Sequence, residues 1–173
     1  MQEIIIIAGP NGAGKTSFAN KYLSSFRGRF VFLNADEVAR ELALPDVPQA
    51  QLDLRAGREM LTRIDDCIAA GLNIAFETTL ASLSYAKKIP SWQEAGCSVA
   101  LVYLRLASVE MSIERVRRRV AQGGHGIPED VIRKRFTKSL DYFERLYRPI
   151  VDEWYIWDSL EGSFRPAEKW DDR

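Results

Sequence analysis

Ile4, Ile5, Ile6, Ile7 and Ala8 form an unbroken apolar run, the pattern of a central parallel strand covered on both faces. A glycine-rich stretch follows it. Phe18, Tyr22, Leu23 and Phe26 then recur at helical spacing, which predicts a first helix reaching about to Phe26. Residues 29–33 read as a second strand ending at Asn34, Ala35 and Asp36. Beyond the break marked by Pro45 and Pro48, Met60, Leu61, Ile64, Cys67 and Ile68 form the buried stripe of a long helix that Gly71 ends. Residues 72–76 read as a third strand and deliver Glu77, Thr78 and Thr79 at its carboxyl end. A helix made irregular by Pro90 leads to a fourth strand over residues 98–104. Val109, Ile113, Val116 and Val120 mark a helix that stops at Gly123 and Gly124; Ile132, Phe136, Leu140, Phe143 and Tyr147 mark the next. Residues 150–157 read as the last strand, with a loosely held tail after Ser159.

Strands alternating with helices imply a mainly parallel, doubly wound sheet with right-handed crossovers, hence an α/β fold of three layers. In such sheets ligands bind beyond the carboxyl ends of the strands, where the glycine loop, Asp36 and Glu77 all fall. At 173 residues the chain suits one domain over its whole length. The 24 basic and 24 acidic residues cancel, so no global charge draws it to nucleic acid or an anionic membrane. Arginines do crowd locally at Arg115, Arg117, Arg118 and Arg119, with Arg133, Lys134, Arg135 and Lys138 soon after. Cys67 and Cys97 are the only cysteines; they read as reduced core thiols of a cytoplasmic protein, not as a disulfide framework. The apolar run at the start is too short for a signal peptide or a membrane span.

Gly9, Pro10, Asn11, Gly12, Ala13, Gly14, Lys15 and Thr16 fit the phosphate-loop pattern G-x-x-x-x-G-K-[ST] between a predicted strand and a predicted helix. Glycines let backbone amides wrap a phosphate, and the helix N-terminus adds its positive dipole end. Lys15 is placed to reach the β- and γ-phosphates of ATP or GTP, Thr16 to take one Mg²⁺ position, and Ser17 completes the cradle. GTPases and motors share this loop, but no guanine-reading Asn-Lys-x-Asp run is present. The one strand of apolar residues ending in an acid is Ile74, Ala75, Phe76 and Glu77.

Asp36 sits one predicted strand downstream, where a carboxylate can take the proton of an acceptor hydroxyl or help hold Mg²⁺. The alternative is an N-cap for the helix over residues 37–42. Glu77 can hold a substrate hydroxyl or a metal-bound water, with Thr78 and Thr79 as hydrogen-bond donors. Arg115 and Arg119, four apart, share one helix flank. Two arginine-bearing helices joined by Gly123, Gly124, His125, Gly126, Ile127 and Pro128 have the form of a kinase lid over about residues 115–136. Such a lid carries guanidinium groups onto the transferring phosphoryl. The helical wheel puts Arg133 nearer the apolar stripe than Arg135 by a small margin, and His125 reads as a lid contact.

With those residues in place the chain resembles the zeta-toxin family, in its compact branch. The likeness runs through GPNGAGKTSFA, FLNADEVAR, AGLNIAFETTL and ERVRRRVAQGGHGIPEDVIRKRF, and includes WDS near the end; the fourth segment is the narrowest. The resemblance implies a P-loop kinase fold and transfer of a γ-phosphate to a UDP-N-acetylhexosamine, with an antitoxin protein as partner. By position it implies Lys15 and Thr16 in the phosphate loop, Asp36 as base, and Glu77 and Thr79 as sugar contacts. Arg119 and one of Arg133 or Arg135 match the phosphate-clamping arginines, the family pattern favouring Arg135. Ala81 falls where the toxins' substrate loop carries an arginine. The expectation is a cytoplasmic, Mg²⁺-dependent kinase acting on a hydroxyl of a small acceptor. The competing reading is a regulatory NTPase without such an acceptor. A nucleic-acid 5′-hydroxyl kinase fits less well, since no continuous basic stripe is present.

Overall fold

The computed structural model describes residues 1–24, 28–43, 45–124 and 126–170, with the backbone alone for Asp36 and Gln49. Phe26 and His125 lie outside the described residues. In chain order the elements are β1 (Gln2–Ala8), α1 (Lys15–Tyr22), β2 (Val31–Leu33), α2 (Ala35–Glu41), α3 (Gln49–Ala69) and β3 (Ile74–Thr78). They continue with α4 (Ser84–Glu94), β4 (Cys97–Arg105), α5 (Val109–Ala121), α6 (Glu129–Tyr142), β5 (Glu153–Leu160) and β6 (Ser163–Lys169). A π-helical turn over Phe143–Tyr147 extends α6.

The isoleucine run becomes the axis of the sheet. The described strands form one sheet in the order β2-β3-β1-β4-β5-β6, all parallel except β6. Ile4, Ile6, Ile7 and Ala8 are fully buried because helices cover both faces. On one face Ile4, Ile6, Phe76, Val99 and Leu101 pack with Met60 and Ile64 of α3, Ile89 of α4, and Phe143 and Tyr147 of the π-helical turn. On the other, Ile7 and Leu104 pack against Phe18 and Ala19 of α1. The result is the three-layer α/β arrangement that the alternation of strands and helices implies. Cys67 and Cys97 are both free, and burial pushes both thiols up from their ordinary value.

Two expectations need correction at the end of the chain. The last parallel strand is shifted to Glu153–Leu160, and the tail after Ser159 is not loosely held. It turns at Gly162 and returns as β6, antiparallel to β5. Its sequence lacks an apolar alternation because β6 is an edge strand whose residues are mostly exposed. Pro166 is tolerated there, opposite a register irregularity between Ile156 and Trp157. Phe164 points inward and meets Phe18 edge-on, with ring centroids 5.2 Å apart.

Candidate active site

The phosphate loop leaves β1 at a topological divide, since Ala8 pairs with Thr78 of β3 on one side and Tyr103 of β4 on the other. The Gly9 amide still donates to the Thr78 carbonyl at 3.3 Å before the chain turns. Gly9 has φ +147°, and a Cβ there would sit 2.5 Å from the Leu104 carbonyl oxygen, so only glycine passes. Gly12 has φ +79°, with its Cβ position 3.0 Å from both the Arg115 Cβ and the Ser112 carbonyl oxygen. The loop is thus packed directly onto α5. The Lys15 ammonium curls back to donate to the carbonyls of Gly9 at 3.0 Å and Pro10 at 3.2 Å, which holds the cation over the loop.

Three consecutive loop carbonyls are bound from outside. Ser112 donates to the carbonyl of Asn11, Arg115 to that of Gly12 at 3.3 Å, and Ser159 to that of Ala13 at 2.8 Å. Arg115 also donates to the Ser159 hydroxyl at 2.7 Å and to the Ser159 carbonyl at 3.3 Å. Asn11 is buried, and its Oδ1 has no hydrogen-bond donor among the described residues. Ser112 and Ser159 did not stand out in the sequence. Their signal was faint: a serine beside the apolar stripe of a helix, and the last residue of WDS.

Thr16, in the first turn of α1, donates to Glu77 Oε2 at 3.0 Å. The loop after β3 is fixed by its own hydroxyls: Thr78 Oγ1 accepts from the Leu80 amide at 3.0 Å and Thr79 Oγ1 from the Ala81 amide at 3.5 Å. Among the described residues neither threonine hydroxyl donates a hydrogen bond. Leu80 is fully buried with φ +56°, a strained conformation for leucine that the surrounding packing imposes. Tyr147, on the π-helical turn, donates to the Ser82 carbonyl at 2.6 Å and ties the same loop from below. Burial holds its phenol protonated, well above the ordinary tyrosine range.

Asp36 follows β2, and its side chain lies outside what the structure describes. The backbone answers the capping alternative. Helix α2 starts at Ala35, and the Asn34 carbonyl accepts from the amides of Glu37 and Val38, both at 3.1 Å, so Asn34 holds the cap position. Asp36 falls in the first turn, where a carboxylate is favoured by the helix dipole.

Helices α5 and α6 pack through Ile113, Val116 and Ile132. Most of the arginine cluster is a solvated face: Arg117 pairs with Glu129 at 2.9 Å, Arg118 with Glu114 at 2.9 Å and Glu161 at 2.6 Å. Arg133 pairs with Glu129 at 2.9 Å and Glu110 at 3.3 Å, and its guanidinium holds the Glu129 carboxyl below its usual value. Here the helical wheel misleads. The buried face of this segment runs through Ile132, Ser139 and Phe143, while Leu140 is 42% exposed. Arg135, one turn before Ser139, is therefore half-buried, and Arg133 points to solvent. Ser139 shares a 3.0 Å hydrogen bond with Tyr103, the residue paired with Ala8 just before the loop. Among the described residues Arg135 has no ion-pair or hydrogen-bond partner. Arg119 is exposed near the end of α5, and its carbonyl accepts from the Gly124 amide at 2.9 Å. Among the described residues no cluster of three or more histidine, cysteine or acidic side chains could hold a metal alone. No described helix is long and apolar enough to cross a membrane.

A family model, zeta toxin, matches residues 2–158. The chain belongs to the zeta toxin family. It is accordingly a nucleotide-binding P-loop phosphotransferase. An uncharacterized protein of Haemophilus influenzae is 27% identical over 132 residues, which cover 76% of this chain and 91% of that one. The PezAT chromosomal toxin–antitoxin system of Streptococcus pneumoniae supplies a similar structure, with a TM-score of 0.64 and 18% identity. The match covers 97% of this chain and 72% of that one. The AvrRxo1-ORF1:-ORF2 complex with ATP superposes with a TM-score of 0.72 at 16% identity, over 98% of this chain and 58% of that one. At such identities these two structures speak to the fold. The zeta toxin match stops at Asp158, so it excludes β6 and Ser159.

Proposed function

We propose that this zeta toxin family member transfers the γ-phosphate of ATP or GTP to a hydroxyl on the sugar of a UDP-N-acetylhexosamine. A lid over about residues 115–136 covers the site. The acceptor oxygen attacks the γ-phosphorus, the bond from that phosphorus to the β,γ-bridging oxygen breaks, and the hydroxyl proton passes to the Asp36 carboxylate. Lys15 and the amides of the loop stabilise the charge on the departing diphosphate, while Arg119 and Arg135 close on the transferring group. Thr78 and Thr79 hold the sugar.

The oxygen donors present fit Mg²⁺: Thr16 and Glu77, hard ligands 3.0 Å apart, would hold it beside the phosphate loop. The chemistry supplied by a divalent ion held there would be partial neutralisation of the polyphosphate charge. The observation that carries the reading is that same contact, because it joins the phosphate loop to the strand end leading into the Thr78–Thr79 loop. An antitoxin protein fits the family, and a cytoplasmic location fits the substrates.

The test is a panel of UDP-sugars incubated with ATP and Mg²⁺ and read by mass spectrometry. One added phosphate on a UDP-N-acetylhexosamine supports the reading. Nucleotide hydrolysis with every sugar unmodified would overturn the acceptor and favour an NTPase without one.

A further inference from the structure

We infer that Ser112, Arg115 and Ser159 are positioning residues for the nucleotide, acting through the outer carbonyls of the phosphate loop. The inference rests on the nucleotide-binding reading above and adds to it residues that touch no phosphate themselves.

In a trans peptide the carbonyl of one residue and the amide of the next point to opposite sides. A carbonyl tied outward therefore turns the following amide inward. Binding the Asn11 carbonyl through Ser112 turns the Gly12 amide in, and binding the Ala13 carbonyl through Ser159 does the same for Gly14. Neither amide has an acceptor among the described residues, whereas the intervening Ala13 amide closes a turn onto Pro10 at 3.1 Å. Two donors are thus left facing the cradle, next to the first-turn amides of α1.

Burial and charge point the same way. Among the described residues the buried polar side chains are Asn11, Ser112, Ser139 and Ser159, and three of those four belong to this cluster. Placing hydroxyls there is costly unless they are satisfied, and each is satisfied by a loop carbonyl. Arg117, Arg118 and Arg133 each hold a glutamate. Arg115 bonds only the neutral oxygens of Gly12 and Ser159 among the described residues. Among the described residues no carboxylate pairs with its charge, which lies against the loop that takes the polyphosphate. Helix α5 therefore has two jobs at two heights. Its base sets the loop for binding, and its far end carries Arg119 for the transfer step.

Loss of such preorganisation removes binding that bound substrate and transition state share, so it should raise KM and spare kcat. Calorimetry with a non-hydrolysable ATP analogue, steady-state kinetics and thermal melting on the same samples test this. Ser112→Ala and Ser159→Ala should each weaken nucleotide affinity about fivefold, as for one lost hydrogen bond. Arg115→Ala should weaken it about a hundredfold, and Arg115→Lys should recover part of that through the retained charge. In all four, kcat at saturating nucleotide should stay within about twofold of wild type. Variants that melt lower yet bind like wild type would make the cluster merely structural and overturn the inference, as would a fall in kcat at constant KM. Lys15→Ala is the separate control. If wild type fails to bind the analogue, or Lys15→Ala binds it equally well, the nucleotide reading itself fails and the inference falls with it.

Discussion

The Thr16 hydroxyl donates to Glu77 Oε2 across 3.0 Å, so the first turn of α1 and the carboxyl end of β3 meet at one pair of oxygens. Their parent strands are neighbours, with Ile7 paired to Glu77, which is why a residue 61 positions away reaches the phosphate loop. Glu77→Gln keeps the shape and an acceptor but removes the charge. The Mg²⁺ concentration for half-maximal transfer should rise about tenfold or more, with melting little changed. Titrating Mg²⁺ against rate checks it; a slower enzyme with unaltered Mg²⁺ demand would assign Glu77 to the acceptor alone.

The lid arginines separate by their surroundings. Arg119→Ala and Arg135→Ala should each lower kcat by on the order of 10³-fold with nucleotide affinity nearly retained, since their contact belongs to the reactive complex. Arg133→Ala should leave kcat alone, because Arg133 is spent on Glu110 and Glu129 at the surface. Its stability cost should stay within about 0.5 kcal/mol, as for exposed ion pairs. Single-turnover kinetics on the three variants decides it, and a slow Arg133→Ala beside a normal Arg135→Ala would reverse the assignment.

For Asp36 the expected signature is kinetic. Asp36→Asn should lower turnover about 10²-fold with little change in nucleotide affinity. As a first-turn acid only, it would cost about 0.5 kcal/mol of stability and leave turnover normal. Kinetics and melting on one sample tell these apart.

The candidate site was legible in the sequence where its determinants are local. The phosphate loop is a contiguous string, and the isoleucine run before it can only be a strand covered twice. Asp36 and Glu77 could be placed because both lie at the carboxyl ends of short strands of the same sheet. What escaped detection is non-local or breaks a pattern. Ser159 joins the loop by an Ala13 contact 146 positions distant, which no window of sequence contains. The helical wheel alone set Arg133 slightly ahead of Arg135, against the family pattern; its stripe included Leu140, whereas Ser139 is the buried residue, satisfied by Tyr103. Strand β6 was missed because an exposed edge needs no apolar alternation.

Acid stability should respond at Asp158, which accepts from Arg105 at 2.8 Å and Arg165 at 3.1 Å. The hydrogen bond from Arg105, and then that from Arg165, hold its carboxyl below the ordinary value of 3.8 against the opposing effect of burial. With a folded pKa depressed, the contribution is present above the unfolded value and is lost as pH falls through the folded one. Asp158→Asn should therefore melt lower than wild type near neutrality, with the gap closing below about pH 3.9. Melting curves across that window measure it, and a gap independent of pH would remove the carboxylate from the explanation.

Phosphoryl transfer in this reading runs through the phosphate loop, and Lys15 probes it most directly. The measurement is the rate at which label moves from the γ-phosphate of ATP to a UDP-N-acetylhexosamine, for wild type and Lys15→Ala. Near-complete loss of transfer in Lys15→Ala, with wild-type melting, is the predicted result. Equal rates in the two proteins would remove the phosphate loop from the transfer step.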